Sequence, residues 1–172
     1  EGLGTLLHAG QEIVCGAPMD SDWALPMEKI PRYQAAVTLR VVASYQASEF
    51  SVEALGVFYG STFQVSPRSD RMGYRLEGNA MAAPTGERFS EGIAYGAVQV
   101  PPDGQPIVLL NDRQTIGGYP KLGTVLSLDC WKLAQCVPGA TVCFEVISLE
   151  AAQALVEEAK RARDATVLKR GT

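Results

Sequence analysis

The sequence predicts a mainly β protein with short helices: a small barrel followed by a C-terminal helix. Many short apolar runs are separated by Gly, Pro and Asp, only brief stretches carry helical periodicity, and one longer amphipathic stretch closes the chain. Ala35–Tyr45 alternates apolar residues at Val37, Leu39 and Val41 among β-branched neighbours, which is a strand pattern. Ser51 is placed to cap a helix over Val52–Tyr59, with Glu53 in its first turn. Short strands are expected at Thr62–Ser66, Gly73–Leu76, Ala97–Val100, Ile107–Leu110 and Thr124–Leu128. Pro101-Pro102-Asp103-Gly104 lies between the third and fourth of these and makes them a hairpin, because Pro presets φ and Gly tolerates positive φ. Asp129 is expected to cap a short helix through Gln135, and Pro138-Gly139 turns the chain into a strand at Thr141–Ile147. Ser148 then starts the terminal helix, with Leu149, Ala152, Leu155, Val156 and Ala159 on one face and Glu157 paired with Arg161 outside.

Residues 1–34 read differently from the rest of the chain. Residues 3–16 have the Gly-bounded look of a strand pair or strand end, and Pro18, Pro26 and Pro31 make the next stretch an extended linker. The expected organisation is therefore a junction strand and linker over 1–34 and a barrel domain over 35–172. A chain that opens at Glu1 without Met reads as part of a longer protein.

Composition excludes several function classes. A chain of 172 residues suits one compact domain, and 47% apolar with 20% charged residues is ordinary for a soluble globular protein. The longest apolar runs are too short to span a bilayer, so no membrane role is expected. A net charge of −4 gives no footprint for nucleic acid. The four cysteines show neither a CxxC pair nor a His at ligand spacing, so no metal site is expected, and they read as small buried hydrophobes in a reducing cytoplasm. His8 is the sole histidine, and GxxxxGK[ST] does not occur. If ATP is used, another polypeptide or an unfamiliar pocket holds it.

Chemistry concentrates between Ser66 and Pro120. Ser69–Leu76 sets Arg71, Tyr74, Arg75 and Asp70 around Gly73, and Arg offers a fixed fork of donors for carboxylate or phosphate. Asn111–Pro120 follows a buried-looking strand with Asp112, Gln114 and Thr115, then Gly117-Gly118 and Tyr119. Gln99 is an unusual strand residue unless its amide is satisfied. Plain structural readings stand beside these: Arg71 and Arg75 as ion-pair partners of Asp70, Glu77 or Asp112, Asp112 as a turn former, and Tyr119 as packing. If the polar set converges, Gln99, Arg71, Asp112 and Tyr119 meet in one concavity.

These segments resemble the C-terminal half of the allophanate hydrolase subunit 2 family. That family includes the C subunit of 5-oxoprolinase, the antagonist of a sporulation-kinase inhibitor, and the carboxyltransferase portion of urea carboxylase. The resemblance is carried by SDRMGYRLEG (69–78), SEGIAYGAVQVPPDGQPIVLLNDRQTIGGYPKLGTV (90–125), DCWKLAQCVPG (129–139) and FEVISLEAA (144–152), while EGLGTLLHAGQEI resembles the junction between the family's two halves. Where relatives carry a Gly-Pro pair after the strand, this chain has Val42-Ala43-Ser44-Tyr45-Gln46, keeping the Gln without the turn residues. The resemblance implies a cyclophilin-like β-barrel, a cytoplasmic location and a subunit 1 type partner protein.

It further implies a component of an ATP-dependent 5-oxoprolinase complex that converts the lactam 5-oxoproline to glutamate with further subunits. The alternatives are a biotin-dependent carboxyltransferase acting on urea or a similar amide, and a non-catalytic regulator that binds a kinase inhibitor. Urea and the lactam both present a planar carbonyl flanked by nitrogen, which Arg, Gln and Asp can hold by complementary hydrogen bonds. On this reading Asp112 is the general base or proton relay, Arg71 and Gln114 orient substrate, and Tyr74, Gln99, Thr115 and Tyr119 line the pocket. ATP serves the complex, biotin belongs only to the carboxyltransferase alternative, and the isolated half is inactive.

Overall fold

The computed structural model describes residues 8–12, 14, 16–17, 23–86, 88–166 and 169–170. Two compact units emerge: residues 1–30 with 166–172, and residues 31–165. Of the described C-terminal residues, Thr166, Lys169 and Arg170 fall in the first unit. In the first unit, β1 (Trp23–Ala24) pairs antiparallel with β11 (Lys169–Arg170), and Met27–Lys29 forms a 3-10 turn. The stretch expected to be a plain linker therefore carries a strand and a turn. Of the strand pair expected over 3–16, the described residues include a turn in which the Gln11 amide donates to the His8 carbonyl; the rest lies outside the described residues.

The second unit contains β2 (Ala36–Ala43), α1 (Val52–Gly60), β3 (Phe63–Val65), β4 (Gly73–Glu77), β5 (Glu91–Gly92), β6 (Ala97–Gln99) and β7 (Ile107–Leu109). It continues with β8 (Ile116–Gly117), β9 (Lys121–Val125), α2 (Ser127–Leu133), β10 (Thr141–Val146) and α3 (Leu149–Asp164). Seven strands close into a barrel in the order β10-β2-β9-β6-β7-β4-β3, with β3 returning to β10. The mainly β barrel with a C-terminal helix predicted from sequence is the fold that forms. Within the barrel only β10 and β2 run parallel, from Thr141↔Ala36 to Val146↔Val41. The short pair β5–β8 stands apart as a second sheet.

Strand alternation fills the barrel. Leu39 and Val41 of β2 and Val142 and Phe144 of β10 point inward, and the Phe144 ring stacks on Phe58 of α1 at 4.2 Å between centroids. Ser51 Oγ accepts the Ala54 amide at 3.2 Å and Ser148 Oγ accepts the Ala151 amide at 3.2 Å, so α1 and α3 begin as their capping residues predict. At Gly104 the φ of +74° closes the expected β6–β7 hairpin, and its amide donates to the Pro101 carbonyl. Arg161 meets Glu157 through the backbone carbonyl, not through the expected charge pair.

Two boundaries differ from expectation. The strand expected at Thr124–Leu128 begins at Lys121 and gives way to α2 at Ser127. Asp129 is not the cap of α2: it sits in the first turn, fully buried, and its carboxylate takes Arg40 Nε at 2.7 Å, Arg40 Nη2 at 2.8 Å, the Arg40 amide at 3.0 Å and Lys132 Nζ at 2.6 Å. A side chain that receives four donors from β2 and its own helix serves tertiary locking better than capping. Burial pushes the Asp129 carboxyl up, but the bonds from Arg40 and Lys132 outweigh it and hold the group below its usual range.

Asp129→Ala is expected to destabilise the unit by roughly 1–3 kcal/mol in urea unfolding, because it removes the anion from the half-buried Arg40 guanidinium and from Lys132. Because the folded value is depressed, the native carboxylate's contribution is complete above the unfolded-state value and is lost as pH falls through the folded one. The acid limb of the stability profile should therefore flatten in the variant. Phe58→Ala should cost about 3–5 kcal/mol by the same measurement, as a large aromatic leaves a cavity against Phe144.

Candidate functional site

Strands β6 and β7 are buried on both faces. Val98 and Val108 enter the barrel core, which by alternation turns Ala97, Gln99, Ile107 and Leu109 outward. The apolar members of that outer set pack with Ile93 as a second cluster. Gly73 and Arg75 of β4 lie beside Leu109 and Ile107 in register, so one outer face runs across β4, β7 and β6. On it lies a cavity of about 320 Å³, the amide cavity, lined by Gly73, Arg75, Gln99, Leu109, Gln114 and Tyr119, among others.

Gln99 is 1% exposed, and among the described residues its Nε2 has no hydrogen-bond partner. An amide donor buried without an acceptor costs about 1–3 kcal/mol. Such a group marks a place where an acceptor is expected. Gly117 keeps the space above it open: a Cβ there would lie 3.3 Å from Gln99 Nε2, 3.8 Å from Gln114 Nε2 and 2.8 Å from Ile93 Cδ1.

Tyr119 walls two further cavities. One, of about 260 Å³, holds two ion pairs, Lys121 Nζ with Glu91 at 2.9 Å and Arg88 Nη2 with Glu49 at 2.5 Å. The other, of about 520 Å³, is apolar, with Met81, Pro84, Val100, Pro102 and Pro120 in its lining. The ion-pair cavity is built around Gln46. Its Oε1 accepts the Lys121 amide at 2.8 Å, and its Nε2 donates to Glu91 Oε2 at 3.1 Å and to the Tyr45 hydroxyl at 3.0 Å. The Tyr45 hydroxyl donates to Glu91 Oε1. That bond and the Lys121 ammonium hold the Glu91 carboxyl below its usual range, and the same bond raises the Tyr45 phenol. The loop after β2 thus supplies both Tyr45 and Gln46.

The residues singled out from sequence divide into two groups. Gln99, Gln114 and Tyr119 meet around the amide cavity. Arg71 and Asp112 do not line it; they pair with each other at 2.8 Å with side chains 83% and 50% exposed, an arrangement worth about 0–1 kcal/mol. The expected convergence of all four is corrected accordingly. Tyr74 is turned inward by alternation from Gly73 and Arg75, and its hydroxyl donates to the Ala134 and Cys136 carbonyls at 3.1 and 3.3 Å. Thr115 is exposed, and its carbonyl accepts the Ile93 amide. Arg75 takes the cavity position expected for Arg71, since residues 73 and 75 share the outer face. Glu49, Arg88, Glu91, Lys121 and Asp103 are site residues that the sequence alone does not single out. Asp103 reads there only as a turn residue, yet it lines the amide cavity with Oδ1 tied to the Gln105 amide at 3.0 Å. Glu91 sits in the two-residue β5 and Lys121 opens β9 straight after Pro120, so neither charge stands in a run long enough to carry a periodic signal.

Among the described residues no group of His, Cys, Asp and Glu could hold a metal ion, and no helix is long and apolar enough to cross a membrane. Cys130, Cys136 and Cys143 are free thiols, with Cys130 pushed up to about 12 by burial. Cys15 lies outside the described residues.

Comparison with known proteins places the chain in a family. The chain is 42% identical over 115 residues to the C subunit of 5-oxoprolinase from Escherichia coli, covering 66% of this chain and 37% of that protein. It is 39% identical over 118 residues to the C subunit of 5-oxoprolinase from Haemophilus influenzae, covering 68% and 38%. The chain therefore spans less than two fifths of these relatives' length. The fold also matches the urea carboxylase of Kluyveromyces lactis with a TM-score of 0.71 at 22% identity, over 81% of this chain and 14% of that one. Residues 1–146 match the carboxyltransferase domain, subdomain A and B, and the chain belongs to that family.

Proposed function

We propose that this chain forms one wall of the substrate site of an ATP-dependent 5-oxoprolinase complex, and that the amide cavity receives the lactam. The observation that carries the reading is the buried, unpartnered amide of Gln99 beside Gln114. A lactam presents a carbonyl acceptor and an N–H donor on one planar edge, and a carboxamide side chain matches such an edge with its own donor and acceptor. Arg75 stands at the rim, and Tyr119 closes the side. The names of the bacterial relatives support the same assignment.

Ring opening adds water across the lactam C–N bond and yields a carboxylate and an amine. This chain's part is to bind the amide and orient its carbonyl. ATP is assigned to another subunit, in keeping with a sequence that carries no GxxxxGK[ST] phosphate loop. The position of Asp112 on the exposed ion pair favours a structural role over proton transfer. The partners in this reading are a subunit 1 type protein and the further 5-oxoprolinase subunits.

A second reading, biotin-dependent carboxyl transfer to urea or a similar amide, draws on the carboxyltransferase family itself. Urea offers the same planar carbonyl and nitrogen edge to Gln99, so this cavity admits either ligand. Comparing 5-oxoproline and urea as ligands of the assembled complex separates the two readings.

In the reconstituted complex, assayed by 5-oxoproline-dependent ATP hydrolysis, Gln99→Leu is expected to lower kcat/KM roughly 10- to 100-fold, the worth of about 1–3 kcal/mol of hydrogen bonding. Asp112→Asn is expected to stay within about threefold of wild type, in keeping with an exposed pair. A near-normal Gln99→Leu enzyme removes the cavity assignment, and a collapse of kcat in Asp112→Asn restores that residue as the proton-transfer group. The purified chain alone is expected to show no turnover, because one wall cannot position substrate against the reacting groups, an effect worth on the order of 7–11 kcal/mol.

A further inference from the structure

The ion-pair cavity has more donors than its own residues satisfy. A guanidinium carries five N–H donors and an ammonium three. Among the described residues, Arg88 makes one ion pair, from Nη2 to Glu49, and its Nε is buried with no partner. Lys121 Nζ donates to Glu91 Oε2 and to the Gly92 carbonyl at 3.2 Å, which leaves one of its three. Both cations are largely buried, with side chains 18% and 13% exposed, while their glutamate partners are the more solvated members. Glu91 is fully engaged by Tyr45, Gln46 and Lys121. A ligand that completes this set must bring oxygen acceptors.

The cavity also adjoins the amide cavity directly. Lys121 is the register partner of Gln99 across β9 and β6, at a β-bulge that skips Leu122, and since Leu122 enters the core Lys121 turns to the same outer side as Gln99. Gly117 lines the ion-pair cavity, its missing Cβ borders Gln99 Nε2, and Tyr119 walls both spaces. One small molecule can therefore place an amide at Gln99 and another group at Arg88 and Lys121.

We propose that the ion-pair cavity is a carboxylate subsite, which takes the carboxylate of the small acid whose amide or lactam end lies in the amide cavity. The identity of that acid rests on the 5-oxoprolinase reading; the subsite rests on the donors. In 5-oxoproline the lactam carbonyl and the carboxylate stand on the two carbons flanking the ring nitrogen, which suits two subsites separated by one thin partition. Glu49 acts as an internal competitor, since it occupies Arg88 with the same group that the ligand brings. Its removal leaves a buried cation without its anion and raises carboxylate affinity, whereas loss of Arg88 lowers it.

The test is a titration of the full chain with sodium acetate, 5-oxoproline and 2-pyrrolidinone, the same lactam without the carboxylate, followed by the Arg88 Nε–H NMR signal. Acetate and 5-oxoproline are expected to move that signal and 2-pyrrolidinone to leave it in place. Arg88→Gln should weaken 5-oxoproline about tenfold, and Glu49→Gln should tighten it severalfold. A tighter Glu49→Gln variant cannot arise from misfolding. An unmoved Arg88 signal with both acids, or weaker binding in Glu49→Gln, overturns the subsite. If acetate and 5-oxoproline bind equally and Glu49→Gln tightens both, the subsite stands and the lactam assignment falls.

Discussion

Burial of β6 and β7 on both faces is the constraint from which the site follows. A strand in a small barrel ordinarily turns one face to the core and one to water. Here the inner face supplies Val98 and Val108 to the barrel, while the outer face is covered by Ile93, the β5–β8 pair and the loop through Tyr119. Gln99 falls on that outer face, so a polar residue is buried at a position where a solvated strand would have left it wet. The covering is incomplete, and the incompleteness is the amide cavity. Gly73 lines it and Gly117 borders Gln99, and a Cβ at either would lie within 3 Å of an apolar side chain. The same geometry brings Lys121 beside Gln99, because β9 flanks β6 and begins where the covering loop ends.

Three ion-pair environments in this unit carry different weights, and burial sets the order. Arg71–Asp112 is solvated on both sides and contributes little. Lys121–Glu91 and Arg88–Glu49 are half-withdrawn from water, so their charges interact more strongly while donors stay available to a ligand. Arg40–Asp129 is withdrawn on the carboxylate side and satisfied by four donors, which makes it a lock between β2 and α2 with no capacity to spare. Only the intermediate class combines desolvation with unused hydrogen-bonding capacity, and that combination is what a binding site requires.

The barrel is legible because its strands announce themselves locally: alternation at Val37, Leu39 and Val41, the Pro-Pro-Asp-Gly turn, and serines ahead of α1 and α3. Asp129 shows where local reading stops. Its sequence context is that of a cap, but Arg40 lies 89 residues away and only the fold brings the two together. The site is half legible for a related reason. Gln99 stands out as a polar residue in an apolar run, and Gln114 and Tyr119 sit beside turn glycines. The choice between Arg71, Tyr74 and Arg75 depends on which residues of β4 face outward. That phase is fixed by pairing of Gly73 with Leu109, a contact between distant segments. Glu91 and Lys121 are illegible, since their significance comes from Tyr45 and Gln46 in another loop.

The chemistry of the lining bears on what the proposed site does to a ligand. The lining of the amide cavity is rich in donors, with Gln99, Gln114, Arg75 and Tyr119, and the carboxylate of Asp103 has one oxygen committed to its own turn. The acids of the neighbouring cavity are committed to cations, and the hydrogen bonds that hold Glu91 below its usual range make it a weaker base. A surface of this kind is built to polarise and orient a carbonyl, and the second oxygen of Asp103 is the one carboxylate site of the amide cavity's lining that its own turn leaves uncommitted. On the proposed 5-oxoprolinase reading, lactam opening also needs an activated water, and that reading assigns the step to the opposite wall, so that recognition and activation are divided between chains.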